Sequence, residues 1–250
     1  MTKRIDVGFF SISHSSDNGD DRDYLEWHQL DHMPEQYQIP GIVLGQRWAS
    51  TPACRAARFR QHSSWANVNN LVCYFMSEPV DETIDEFMAL GAALRTAGRF
   101  PFALPPEFVG GMRRTASIAS PDALVLADVI PFRPHTGVYL LVETRETPRE
   151  SSQNDSSDQE HRLQRLTDVP GVAGAWSFTS DPELQRSNST VGVFDITLCY
   201  LDAEPIGVAH DLEHALEDHW TPPGSELIFA GPFEAITLWD WERFGPNQQS

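Results

Sequence analysis

Cysteine is scarce in this 250-residue sequence, and Cys54, Cys73 and Cys199 are too few and too scattered for a disulfide framework or a zinc ribbon. Cys73 and Cys199 lie in apolar, strand-like runs, where a reduced, buried thiol is expected. Basic residues are scarce too: 18 Lys and Arg face 36 Asp and Glu, a net charge of −18. A field of that sign repels phosphate backbones and anionic lipid, so neither nucleic acid nor a membrane is an expected partner. It also disfavours a strongly anionic substrate unless the site carries its own cations. No stretch approaches the roughly 18 apolar residues of a spanning helix, and the start MTKRIDVGFFSIS is too polar for a signal peptide. The expected location is the cytoplasm. A glycine-rich phosphate loop, a G-x-S-x-G elbow and a Rossmann fingerprint are absent, and Gly110-Gly111 reads as a turn.

What is present is an internal repeat. Cys73-Tyr74-Phe75-Met76-Ser77-Glu78-Pro79-Val80 returns as Cys199-Tyr200-Leu201-Asp202-Ala203-Glu204-Pro205-Ile206. Upstream, Ile39-Pro40-Gly41-Ile42 returns as Val169-Pro170-Gly171-Val172, and the opening strand Val7–Phe10 has a counterpart in Gly137–Val142. Each half reads as a strand (6–13; 137–144), a polar loop and a helix (23–37; 158–167) with Asp23 or Asp158 as N-cap. A Pro-Gly stop leads into a second strand (42–48; 172–178), a third strand holds the Cys-Tyr pair, and Glu-Pro opens a second helix. A closing strand ends each half (108–113; 227–237). The order β-α-β-β-α-β is the ferredoxin-like split βαβ, an α+β class. One such sheet leaves a face open, and two copies in one chain cover each other as an intramolecular barrel. The division expected is 1–114 for the N-terminal repeat carrying the site, 115–135 for a connection and 136–244 for a degenerate C-terminal repeat, with 245–250 a disordered tail. The connection carries the apolar run Ala123–Ala127, read as an extra strand or helical turn.

Chemistry concentrates in the first helix. At 100° per residue, Tyr24, Trp27, His28, Asp31 and Glu35 share one side, with His32 at its border. A carboxylate beside an imidazole raises its pKa and fixes its tautomer, as a general acid–base needs; the bland alternative is a solvated polar face. His14, Tyr74, Phe75 and Trp48 are further candidate lining residues, and strand alternation puts Trp48 on the opposite face from Arg47. His210-Asp211-Leu212-Glu213-His214 fits H-x-x-E-H, yet its counterpart in the first half is an ordinary amphipathic helix without histidine. No metal is expected there.

Trp27, His32, Pro34 and the later Pro40-Gly41 resemble the EthD-like branch of the dimeric α+β barrel superfamily, with Met33 where that branch usually has leucine. The resemblance spans about 110 residues of the first half and, more weakly, a similar length of the second. It implies a pocket between helices and sheet, His32 as the catalytic histidine and Trp27 as a wall. It also implies a choice among cofactor-free lyases, isomerases, cyclases and quinone-forming monooxygenases, with haem binders more distant. The leading expectation is a cofactor-independent lyase, dehydratase, isomerase or cyclase acting on a small apolar or aromatic metabolite. In it His32 moves the proton, His28 and Asp31 tune or relay it, and Trp27, Tyr24, His14, Trp48, Tyr74 and Phe75 shape the substrate pocket. The alternatives are an oxygen-dependent monooxygenase, cofactor-free or with haem, and a non-catalytic binding or stress-response protein. Self-association into a homo-oligomer stays open.

Overall fold

The structure, a computed structural model, describes residues 4–14, 21–102, 106–147, 153–217 and 220–236. The first half runs β1 (Val7–Ser13), α1 (Asp21–Trp27), α2 (Met33–Gln36), β2 (Ile42–Ala49), α3 (Pro52–Ala56), β3 (Arg60–Gln61), β4 (Asn70–Met76), α4 (Val80–Thr96) and β5 (Pro106–Ala119). The second half runs β6 (Gly137–Arg145), α5 (Gln153–Thr167), β7 (Val172–Ser180), β8 (Val193–Leu201), α6 (Pro205–Glu217) and β9 (Ser225–Ala235). The proposed tail 245–250, the end of the last strand at Thr237 and much of both polar loops lie outside the described residues.

All pairings are antiparallel. The strand order is β2-β4-β1-β5-β7-β8-β6-β9, and β9 returns to β2 through Trp48↔Ala235 and Ala49↔Glu234. The result is a mixed α/β chain with one large antiparallel sheet, closed as an α+β barrel. Each half contributes four long strands in matching order, β2-β4-β1-β5 and β7-β8-β6-β9. The main seam is long: β5 runs on to Ala119, past the expected Arg113, because its second stretch pairs with β7 from Met112↔Ser180 to Ala119↔Gly174. The connection between halves therefore begins inside a strand. Its apolar run is neither strand nor α-helix. Two 3-10 turns, Pro121–Ala123 and Ala127–Phe132, flank Leu124, whose φ of 55° is left-handed.

Strand alternation sends every second side chain into the barrel. Phe10, Trp48, Phe75, Trp176, Phe178 and Tyr200 meet there, all buried, each contributing about 1.5–3 kcal/mol on burial. Trp48 and Phe75, expected around a substrate, thus belong to the barrel core. The Trp48 Nε1–H donates to His135 Nε2 at 2.9 Å, and the Tyr200 hydroxyl donates to Gln46 Oε1 at 3.1 Å, so hydrogen bonds tie the first half to the connection and to the second half. Separate apolar layers lie under the helices of each half.

The pairings also correct the sequence repeat. Val7 pairs with Met76, and Gly137, at the same place in the second half, pairs with Leu201. That equates Met76 with Leu201, Phe75 with Tyr200 and Tyr74 with Cys199. The Cys-Tyr match is one place out, and a one-residue slip in a strand exchanges faces. Accordingly Cys73 sits in the barrel, whereas Cys199 lies under the helices. All three cysteines are free and buried, and burial raises the pKa of Cys73 and Cys199.

Candidate active site

The first helix does not keep a single winding. Between α1 and α2, His28–His32 forms a π-helical turn, wider than an α-turn and frequent at functional sites. Its extra residue per turn brings position i+5 over i. Trp27 and His32 stack as a result, with ring centres 5.0 Å apart and planes at 23°. His28 lies 5.2 Å from His32, and its Nε2 is 3.4 Å from the Tyr74 hydroxyl on β4. Asp31 and Glu35 hold Arg99, at 2.9 and 2.6 Å, on the exposed side of this turn. Asp31 is thus shared with a surface ion pair, and its charge still acts on His32, raising its pKa against the effect of burial.

Trp27, His28 and His32 face a cavity of about 430 Å³ between the sheet and helix α4. Phe9, Ser11 and Ser13 of β1 and Val72 and Tyr74 of β4 form its floor; Phe87, Met88, Gly91 and Arg95 of α4 form one wall. Tyr24 and the following Phe100 and Phe102 close it with aromatic rings, Phe100 standing edge-on to His32 at 4.9 Å. Of the sequence candidates, Tyr24, Trp27, His28, His32 and Tyr74 come together here. His14 does not line the cavity; its Nδ1 sits 3.4 Å from Glu107 Oε1. Phe87 and Gly91 are spaced i, i+4 and could have been found as the sheet-facing stripe of α4. Phe100 and Phe102 follow a helix end and carry no periodic signal.

Both imidazoles are held neutral. Burial pulls His28 well below the ordinary histidine value, and the nearby Arg47 and His32 add to this. Burial lowers His32 to about 4, with Arg47, Arg95 and Arg99 assisting against an opposing Asp31. Arg47 is itself buried beneath Tyr24, its guanidinium 4.8 Å from the ring centre and its Nη2 donating to Asn70 Oδ1 at 3.0 Å. The Nδ1 atoms of His28 and His32 are buried without a hydrogen-bond partner. The described residues lining the cavity include Arg95 and no carboxylate. In a chain with a net charge of −18, that local sign is opposite to the whole.

This has a consequence for acid stability. Unfolded, His32 takes a proton near pH 6.5; folded, it resists until about pH 4. Between those values the unfolded chain binds more protons, so stability falls as the pH drops. The gap corresponds to about 3 kcal/mol, and His28 and His135, also lowered, act in the same direction. Urea titrations at pH 7.5 and 4.5 should show a larger loss for the wild type than for His32→Gln. Equal losses would mean that His32 protonates at its ordinary pH.

Among the described residues, the corresponding place in the second half is occupied by side chains. By the pairing register, Leu141 stands where β1 has Ser11, and Glu143 where it has Ser13. Arg162 of α5 donates to both oxygens of Glu143, at 2.8 and 2.6 Å, and lies 4.2 Å over Trp220. The space is filled by an ion pair, an indole and leucines. His210 and His214 are exposed and each lies near a glutamate three residues on, at 3.6 and 3.7 Å; no metal-holding group occurs among the described residues.

No family model and no curated sequence matches the chain. Solved structures do. An anthrone oxidase-like protein aligns over 93% of this chain and 92% of its own, with a TM-score of 0.52 and 10% identity. A protein named as a candidate chlorite dismutase aligns over 93% and 96%, at 0.51 and 11%. A candidate monooxygenase from Fusobacterium nucleatum aligns over 95% and 94%, at 0.50 and 8%. The likeness shows the fold, a mixed α/β chain with a large antiparallel sheet. Their names are those of an oxidase, a dismutase and a monooxygenase. The expectation of a lyase, dehydratase, isomerase or cyclase is corrected on that finding, in favour of the oxygen-dependent alternative.

Proposed function

We propose that this chain is an oxygen-dependent oxidase or monooxygenase that acts on a small, flat aromatic substrate without a cofactor, with His32 as its base. The observation that carries this reading is the pair of neutral imidazoles in an aromatic-walled cavity edged by cations, with no carboxylate among the described lining residues. Such a site can remove a proton and favour the resulting anion, but it offers no carboxylic acid to protonate a leaving group. A carbanion or phenolate spread over fused rings is electron-rich enough to reduce dioxygen. For a methylene between aryl rings, as in an anthrone, CH₂ and O₂ become C=O and H₂O. The carbon loses four electrons, one oxygen atom stays in the new carbonyl, and the proton taken by His32 leaves with the other as water.

Within this reading His28, held against Tyr74, positions and tunes His32, while Trp27 and Tyr24 form an aromatic wall for the substrate rings. The names of the matching structures, an anthrone oxidase-like protein and a monooxygenase, support the reaction class. We further infer that the halves, 1–114 and 136–244, descend from one ferredoxin-like unit of EthD-like type joined by 115–135; the matching strand orders support this. The test is an oxygen electrode with anthrone as substrate. Oxygen uptake above the spontaneous rate should equal quinone formed, one to one, in protein whose spectrum shows no haem or flavin, with label from ¹⁸O₂ in the carbonyl. Turnover without oxygen, or only after loading with haem, would replace the proposal.

A further inference from the structure

One end of the cavity is built by the other half of the chain. The segment between β7 and β8 crosses the main seam and puts Ser187 and Asn188 on the rim of the N-terminal cavity. It is fastened there at several places. Thr190 N donates to Val109 O at 2.8 Å, and Val109 N donates to Thr190 Oγ1 at 2.9 Å. Gln185 Nε2 donates to Gly111 O at 3.2 Å, and Arg186 Nε meets Asp85 of α4 at 2.9 Å. Gly110 and Gly111, expected to mark a turn, are mid-strand residues of β5 that make room for this segment. A Cβ on Gly111 would lie 3.1 Å from Leu184 Cβ, and one on Gly110 would lie 3.2 Å from Gln185 Oε1.

The position of this rim relative to the imidazoles follows from the sheet. His28 lies against Tyr74 on β4, while the crossing segment is tied to β5; β1 runs between them. Two strand spacings separate the two ends, about 10 Å. Besides Ser11, Ser13, Gln36, Arg95 and the hydroxyls of Tyr24 and Tyr74 the lining away from the imidazoles is apolar, and Asn188 offers both a donor and an acceptor.

We propose that Asn188, with Ser187, is a specificity-determining clamp: it hydrogen-bonds a hydroxyl or carbonyl on the far ring of the substrate while the near ring reacts at the imidazoles. Arg186 is a positioning residue that holds the clamp on α4. This inference rests on the aromatic-substrate reading above and adds a requirement to it. The favoured ligand is a flat aromatic about three rings long with a polar group at the end remote from the reacting carbon.

Binding of 2-hydroxyanthraquinone and of anthraquinone, measured by tryptophan quenching under anaerobic conditions, tests the clamp. The wild type should prefer the hydroxylated probe by about tenfold, the worth of one well-made hydrogen bond. Asn188→Ala should abolish that preference by weakening only the hydroxylated probe, and Arg186→Ala should reduce it. Asn188 is exposed, so its outcome does not depend on folding, and unchanged binding of unsubstituted anthraquinone in Arg186→Ala checks that the cavity is intact there. Equal weakening of both probes, or unchanged binding of both, would overturn the clamp while leaving the proposed reaction standing. Discrimination without oxygen uptake would uphold the clamp and sink the reaction. A wild type that binds neither probe overturns both.

Discussion

Replacing His32 with glutamine should lower turnover of a flat phenolic or anthrone-type substrate by about 10²- to 10⁴-fold, the usual contribution of a positioned proton acceptor. Glutamine keeps the length and a polar end, so the packing of Trp27 and Phe100 around position 32 changes little. Affinity for anthraquinone, which has no proton to give, should stay within about threefold of the wild type by the same reasoning. The pH profile supplies a second readout. A base held near 4 is available throughout the neutral range, so the limb of kcat/KM due to the enzyme should be flat from about pH 5.5 to 8. An ordinary surface histidine would instead give a rise centred near its unperturbed value of about 6.5. Retained turnover in His32→Gln, with loss in His28→Gln, would transfer the base role to His28. Retention in both would remove proton abstraction by this pair altogether.

Replacing Arg162 with alanine should destabilise the protein by about 3–5 kcal/mol, enough to lower the melting temperature of a chain this long by about 6–20 °C. The reason lies in the filled hollow of the second half. Glu143 is 2% exposed and receives two hydrogen bonds from Arg162, whose guanidinium in turn lies over Trp220. Removing the cation takes two charge-assisted hydrogen bonds from a buried carboxylate beside an apolar layer of Leu163, Leu166 and Leu212. The double variant Glu143→Met with Arg162→Met should recover most of the loss, since volume is kept and both charges leave together. Denaturant titrations of the three variants would check the cycle; a double variant no better than Arg162→Ala would mean that the pair contributes through shape and not charge. The variant is a fold test only, because neither residue of this pair lines the cavity.

Much of the fold was legible because its signals are local. The Pro-Gly stops, the β-branched and aromatic strands and the alternation of chain elements placed most strands within a few residues of their observed bounds. Two kinds of information escaped. Face assignment was the first. Tyr74 and Phe75 are neighbours in one strand, so only one could line the cavity, and alternation alone could not say which; the pairings put Tyr74 under the helices and Phe75 in the barrel. The one-place slip of the Cys-Tyr match has the same origin, since similarity of letters carries no face.

Helix winding was the second. The His28–His32 turn is π-helical, and no propensity rule applied to these residues distinguishes it from an α-turn. Its effect on the site is large: it brings His32 under Trp27. The reach of Ser187 and Asn188 across the seam was illegible for a different reason, because it depends on which edges of two distant sheets meet.

A single chain with two topologically matched halves, the cavity of one filled by side chains at the corresponding place in the other, differs in its binding behaviour from a pair of equivalent protomers. A ligand confined to the N-terminal cavity would saturate at one equivalent per polypeptide along a plain hyperbola, with a Hill coefficient of one. The ion pair that plugs the C-terminal half turns that half from a potential partner in cooperativity into scaffolding. It buttresses the seam and lends its hairpin to its neighbour.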